Sequence, residues 1–168
     1  MLPHLAPPMR AVALVLTVLV AVGGLAACSS STGNQSTPVR GGTPTKVSDL
    51  KVGTCYLRPE STDVDQVAKV PCRRKHDAEV FAVYNLDGSR GVDFPGQSSV
   101  QSAAQEGCQG ARFKAYVGEA YEDSGYFSSA IAPTQKTWVN RYDRQVVCSV
   151  ITADGSKLKG TVKHGAAA

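Results

Sequence analysis

Histidine is scarce in this chain of 168 residues: there are three. They stand at positions 4, 76 and 164, and only His76 falls inside the stretch that carries aromatic side chains. Nearly every histidine-based catalytic triad is therefore excluded. Neither a Cys-x-x-Cys nor a His-x-x-Glu-His spacing occurs, and the sole close pairing of these residue types is Cys72-x-x-x-His76. Structural zinc sites draw on several ligands at short recurring spacings, so no metal and no cofactor is expected. Strong charge is missing too, with 18 basic against 14 acidic residues. Removing residues 1–27 takes away only Arg10 and leaves a net charge of +3, too mild for a nucleic-acid-binding face. No aromatic residue precedes Tyr56 and no internal repeat is visible, so the packed core must lie downstream.

The N-terminus does carry a signal. Ala11 to Ala27 is an uncharged run of 17 residues behind Arg10, closed by small residues. A bilayer span takes about 20 apolar residues, so the run reads as a cleaved export signal rather than an anchor helix. It ends in "LAAC", Leu25 to Cys28, a lipobox in which Cys28 accepts a diacylglycerol and an added palmitate-type acyl chain before cleavage ahead of it. The expected organisation is a lipoprotein signal peptide over 1–27 and a lipidated cysteine with a Ser/Thr/Gly/Pro-rich flexible tether over 28–46. A packed domain over 47–162 and a disordered tail over 163–168 follow.

With Cys28 lipidated, Cys55, Cys72, Cys108 and Cys148 remain, an even number in an exported chain. Four cysteines allow three pairings, and the sequence does not choose among them. Cys55 with Cys72 and Cys108 with Cys148 are favoured, because the first pair lies on consecutive predicted strands and the second ties a helix to a later strand. Strands are predicted at "GTCYL", "VAKVPC", "AEVFAVYNL", "YFSSAIAPT" and "RQVVCSVIT", with an edge strand at "KLKGTV". Within "AEVFAVYNL", simple alternation puts Val80, Ala82 and Tyr84 on one face and Phe81 and Val83 on the other. Ser98 and Gln101 make an S-x-x-Q capping box for a helix striped with Val100, Ala104, Cys108, Ala111 and Ala115 and stopped at Gly118. The order is that of an α+β domain, a small antiparallel sheet with one principal helix on one face and two disulfides.

The stretch "PCRRKHDAEV" gathers the chemistry of the chain. A thiolate nucleophile would need Cys72 free, and parity makes it a disulfide partner. Asp77 and Glu79 share one side of a strand, beside Arg73, Arg74 and Lys75, where a solvated charged rim is expected. His76 is expected to make a local hydrogen bond at the strand entrance. Trp138, the sole tryptophan, is more readily a core residue than a contact residue.

In order, "VGTC", "VPC" with "HDAEVFAV", "FPG", a cysteine-bearing helix, "PTQKTW" and "DRQVVC" resemble the septum formation domain family, found mainly in actinobacterial lipoproteins and membrane proteins. The resemblance covers Val52 to Thr152. It places Cys55, Cys72, Cys108 and Cys148 at the family's cysteine positions and His76, Glu79, Pro133, Trp138 and Arg144 at its other marked positions. Thr54 stands where the family commonly has an acidic residue, and "VNRY" follows Trp138 where a glycine is common. The resemblance implies an envelope protein associated with septum formation. The reading is thus a non-enzymatic interaction module, lipid-anchored on the extracytoplasmic face of the cell membrane and binding an envelope protein or wall component but no nucleic acid. Arg73, Arg74, Lys75, His76, Glu79, Trp138 and Arg144 are its candidate interaction residues. The alternatives are a receptor for an anionic small molecule or wall polymer using Arg73, Arg74, Lys75 and Arg144, and, less favoured, a cell-wall enzyme using Asp77 or Glu79.

Overall fold

The computed structural model describes residues 41–59, 64–88 and 91–166. The chain divides into two units, residues 1–34 and 35–168, and every described residue belongs to the second. The expected signal peptide, Cys28 as the expected lipidation residue, and the expected tether as far as residue 40 lie outside the described residues. Strands β1 (Thr43–Lys46), β2 (Cys55–Leu57), β3 (Gln66–Val70) and β4 (Ala78–Asn85) come first. Helices α1 (Gln97–Gln109) and α2 (Ala111–Val117) follow, then β5 (Tyr126–Ile131), α3 (Gln135–Arg141) and β6 (Gln145–Thr152). The strands form one antiparallel sheet in the order β1-β3-β2-β4-β6-β5. The fold is α+β, with the two disulfides Cys55–Cys72 and Cys108–Cys148 in the favoured pairing.

One face of the sheet packs against α1 and α2 through Phe81, Ala104, Cys108, Phe113, Val146, Cys148 and Val150. Phe113 meets Phe81 and Tyr121 edge to face, with centroids 5.4 and 5.3 Å apart. Leu50, Tyr56, Val67, Ala78, Val80 and Val147 form a second cluster. On β6 the two sets alternate as period 2 requires. On β4 a bulge between Val80 and Ala82 breaks the period, so Phe81 and Ala82 join one cluster while Val80 and Val83 serve the other. That corrects the expected grouping of Val80 with Ala82 and Tyr84.

Four further expectations give way. Residues 43–46 are not tether but an edge strand paired with β3, where Pro44 is tolerated because an edge leaves half its backbone groups outside the ladder. The helix begins at Gln97 behind Gly96, so Ser98 sits within the first turn and caps nothing; the chain's capping box is Thr134 with Thr137, at α3. The single expected helix breaks at Gly110 into α1 and α2, and α2 ends at Gly118 in the left-handed conformation. The "KLKGTV" segment is no full strand. It makes one bridge, Leu158 to His76, and then runs on as a strap described next.

Candidate functional site

The strap is the C-terminal segment from Lys157 to His164. Lys157 pairs with Asp77, and Leu158 exchanges backbone hydrogen bonds of 2.8 and 3.0 Å with His76. Gly160 N–H donates to the Cys72 carbonyl (2.9 Å) and His164 N–H to the Tyr116 carbonyl (2.8 Å). The His164 ring lies against Gly118, so close that a Cβ there would meet it at 2.6 Å. Within the segment expected to be a disordered tail, His164 therefore has both a backbone hydrogen bond and a ring contact to α2 and its C-terminal glycine.

Beneath the strap, Cys55 on β2 stands opposite Glu79 on β4. Glu79 and His76 are both 0 % exposed, so Glu79 is no part of a solvated rim. A buried carboxylate is tolerable only when hydrogen bonds replace its water. Oε1 accepts from Tyr116 Oη (2.7 Å) and from Thr161 Oγ1, and Oε2 accepts from Val162 N–H (2.9 Å). Two of the three donors come from the strap. His76 Nδ1 lies 2.8 Å from the Arg74 carbonyl. A carbonyl can only accept, so Nδ1 carries the hydrogen, and Nε2 is left without a hydrogen-bond partner among the described residues.

Burial first, and then the Glu79 carboxylate it donates to, push the Tyr116 hydroxyl well above the ordinary tyrosine value of 10.0. Above about pH 10 the unfolded chain loses a proton that folded Tyr116 keeps, so this contribution to stability is complete below that pH and falls as pH rises further. A Tyr116→Phe protein should show a shallower alkaline decline, read as melting temperature against pH from 9 upward. Equal slopes in the two proteins would contradict the buried pairing. Partial burial opposes ionisation of Asp77, but the Lys157 ammonium and the Arg58 N–H (2.9 Å) outweigh it and hold the carboxyl below its ordinary value.

Outside this centre, Arg73, Arg74 and Lys75 are all exposed on the turn between β3 and β4. Trp138 and Arg144 are buried together at the other end of β4. The guanidinium carbon stands 3.5 Å above the indole, the indole N–H donates to the Val92 carbonyl (3.0 Å), and Arg144 Nη1 donates to the Trp138 and Asp143 carbonyls. They clamp the loop ahead of α1, and Pro133 is buried next to α3. Tyr142, at the end of α3, takes a left-handed φ of 54°, a conformation that favours glycine. The structure thus brings Cys55, Cys72, His76 and Glu79 together with Tyr116, Thr161 and Val162, which sequence reasoning missed, and leaves Trp138 and Arg144 apart from them.

Neither the curated proteins nor the solved structures give a match. The family model described as septum formation matches residues 52–168, from the loop before β2 through the strap. It takes in the disulfides, the buried Glu79 centre and the Trp138 clamp, and on that match the chain belongs to the septum formation family.

Proposed function

We propose that the protein is a lipid-anchored module on the extracytoplasmic face of the cell membrane that binds another envelope protein or a wall component without turnover, in a role associated with septum formation. The observation that carries this reading is the contrast between the two parts of "PCRRKHDAEV". Arg73, Arg74 and Lys75 stand in solvent on a turn pinned by the Cys55–Cys72 bridge and by Gly160. The two carboxylates are engaged instead: Glu79 by three donors and Asp77 by Lys157 and Arg58. The "LAAC" box and the polar residues after it support the anchor.

The second reading, a receptor for an anionic wall polymer, rests on the same turn. Arg144 leaves its binding set, since it is buried against Trp138. One experiment separates the two. A photo-crosslinker placed at position 73 of the lipoprotein in its native envelope should capture a defined protein. Reversing Arg74 and Lys75 to glutamate in the same protein should abolish that capture while leaving the melting temperature nearly unchanged, because exposed charges contribute little to stability. Capture of wall polymer alone, lost in high salt, would favour the receptor. Capture unaffected by the reversal would remove this turn from the interface.

A further inference from the structure

The geometry points to a latent metal site: on reduction of the Cys55–Cys72 disulfide, Cys55, Cys72, His76 and Glu79 become a four-ligand site for a divalent, borderline-soft cation of the zinc class. The Cys55 sulfur, a ring nitrogen of His76 and a carboxylate oxygen of Glu79 already lie within 4.8 Å of one another, and all three residues are buried. Cys72 Sγ is not among those atoms; bonded to Cys55 Sγ in the oxidised protein, it supplies the fourth ligand by rotating inward once that bond is broken. Two sulfurs, one imidazole and one carboxylate are the donor types that tetrahedral zinc accepts.

His76 supplies the independent observation. Its Nε2 is a fully buried nitrogen without a hydrogen-bond partner among the described residues, an arrangement that costs free energy in a site that never fills. Its other nitrogen is held by a backbone carbonyl, which fixes the ring and selects the tautomer. Metal-ligating histidines are oriented in this way, with the far N–H on a carbonyl and the near nitrogen turned to the ion. Glu79 can give up Thr161, whose exposed hydroxyl returns to water, and keep Tyr116 and Val162 as the outer hydrogen bonds that ligating carboxylates have.

The disulfide is what keeps the site shut, because the ligand form of cysteine is the thiolate. Cys72 is partly exposed while Cys55, Cys108 and Cys148 are buried, so an external dithiol reductant reaches Cys72 Sγ. One reductant thiolate attacks that sulfur: a mixed disulfide forms, the Cys55–Cys72 bond breaks, and its electron pair leaves on Cys55 Sγ beside His76 and Glu79. The second reductant thiolate then attacks the mixed disulfide and releases the Cys72 thiolate. Two electrons have passed to the protein and the reductant has become a disulfide. A captured cation would replace the covalent staple, so the turn that carries Arg73, Arg74 and Lys75 would stay pinned in both redox states. This inference does not rest on the interaction reading.

The test uses the full-length protein and Co2+ alone as the probe. Anaerobic treatment with dithiothreitol is stopped when alkylation mapping shows Cys55 and Cys72 free and Cys108–Cys148 intact, and the reductant is removed. One equivalent of Co2+ should then bind with thiolate-to-cobalt charge-transfer absorption, and Zn2+ should displace it. The oxidised protein should give no such band. His76→Gln and Glu79→Asp, each first shown to be folded in its oxidised form by circular dichroism, should weaken Co2+ binding about tenfold or more. No charge-transfer band in the reduced parent would overturn the site. So would a band whose affinity is the same in folded His76→Gln, since the cation would then be held by thiolates without the histidine.

Discussion

Replacing Glu79 by alanine should lower the unfolding free energy by about 3 kcal/mol, from one buried and one half-buried donor stranded at about 2 and about 1 kcal/mol. Those donors are the Tyr116 hydroxyl and the Val162 N–H; Thr161 is exposed, and its hydroxyl finds water. The removed charge had itself been costly to bury, but alanine leaves a void and two unmet donors rather than a well-packed apolar replacement. Glu79→Gln retains the shape and one accepting oxygen and should cost about half as much. Tyr116→Phe alone should cost about 2 kcal/mol, as the loss of a hydrogen bond to a charged group. Combining it with Glu79→Ala should cost clearly less than the sum, because both changes remove the same bond. Chemical denaturation of the four variants measures this. A Glu79→Ala protein within 1 kcal/mol of the parent would show that the carboxylate is solvated, as an exposed rim would be.

Loss of the Cys108–Cys148 bridge should have a comparable effect. It closes a separation of 40 residues between α1 and β6, and on the chain-entropy model such a cross-link contributes about 4 kcal/mol. Both sulfurs lie in the core between sheet and helices, so alanine at the two positions also forfeits packing. The Cys55–Cys72 bridge closes 17 residues and should contribute about 3 kcal/mol. Small domains have about 5–15 kcal/mol to lose, so the C108A/C148A protein should remain folded only at reduced temperature. Its unfolding midpoint in urea should fall further than that of C55A/C72A. The reverse order would mean that the chain around α1 retains structure when unfolded.

The parts of this fold that were legible in the sequence are those specified within a few residues. Alternation marked β4 and β6, parity and position marked the disulfides, and Trp138 read correctly as core. The misses have a common physical form. β1 reads "TPTK" and looks like linker, because its order comes from backbone pairing with β3 rather than from its own side chains. The bulge in β4 has no signature in "AEVFAVYN", and it alone decides which face Ala82 serves. α3 is only seven residues long and its cue was a threonine pair, Thr134 and Thr137, rather than an apolar stripe. Glu79 looked like surface because its donors lie 37, 82 and 83 residues away. The strap that supplies two of them reads "KLKGTVKH", with too few apolar residues to announce packing.

This strap seals a buried polar centre, and its sealing is read out by amide hydrogen exchange along the strap. The amides of Leu158, Gly160, Val162 and His164 donate to His76, Cys72, Glu79 and Tyr116. They should exchange slowly in the parent protein, and in Glu79→Gln the Val162 amide should lose most of its protection while β6 keeps its own. Exchange of these four amides in the parent at the rate of an unstructured peptide would contradict the claim, leaving Glu79 and His76 open to solvent.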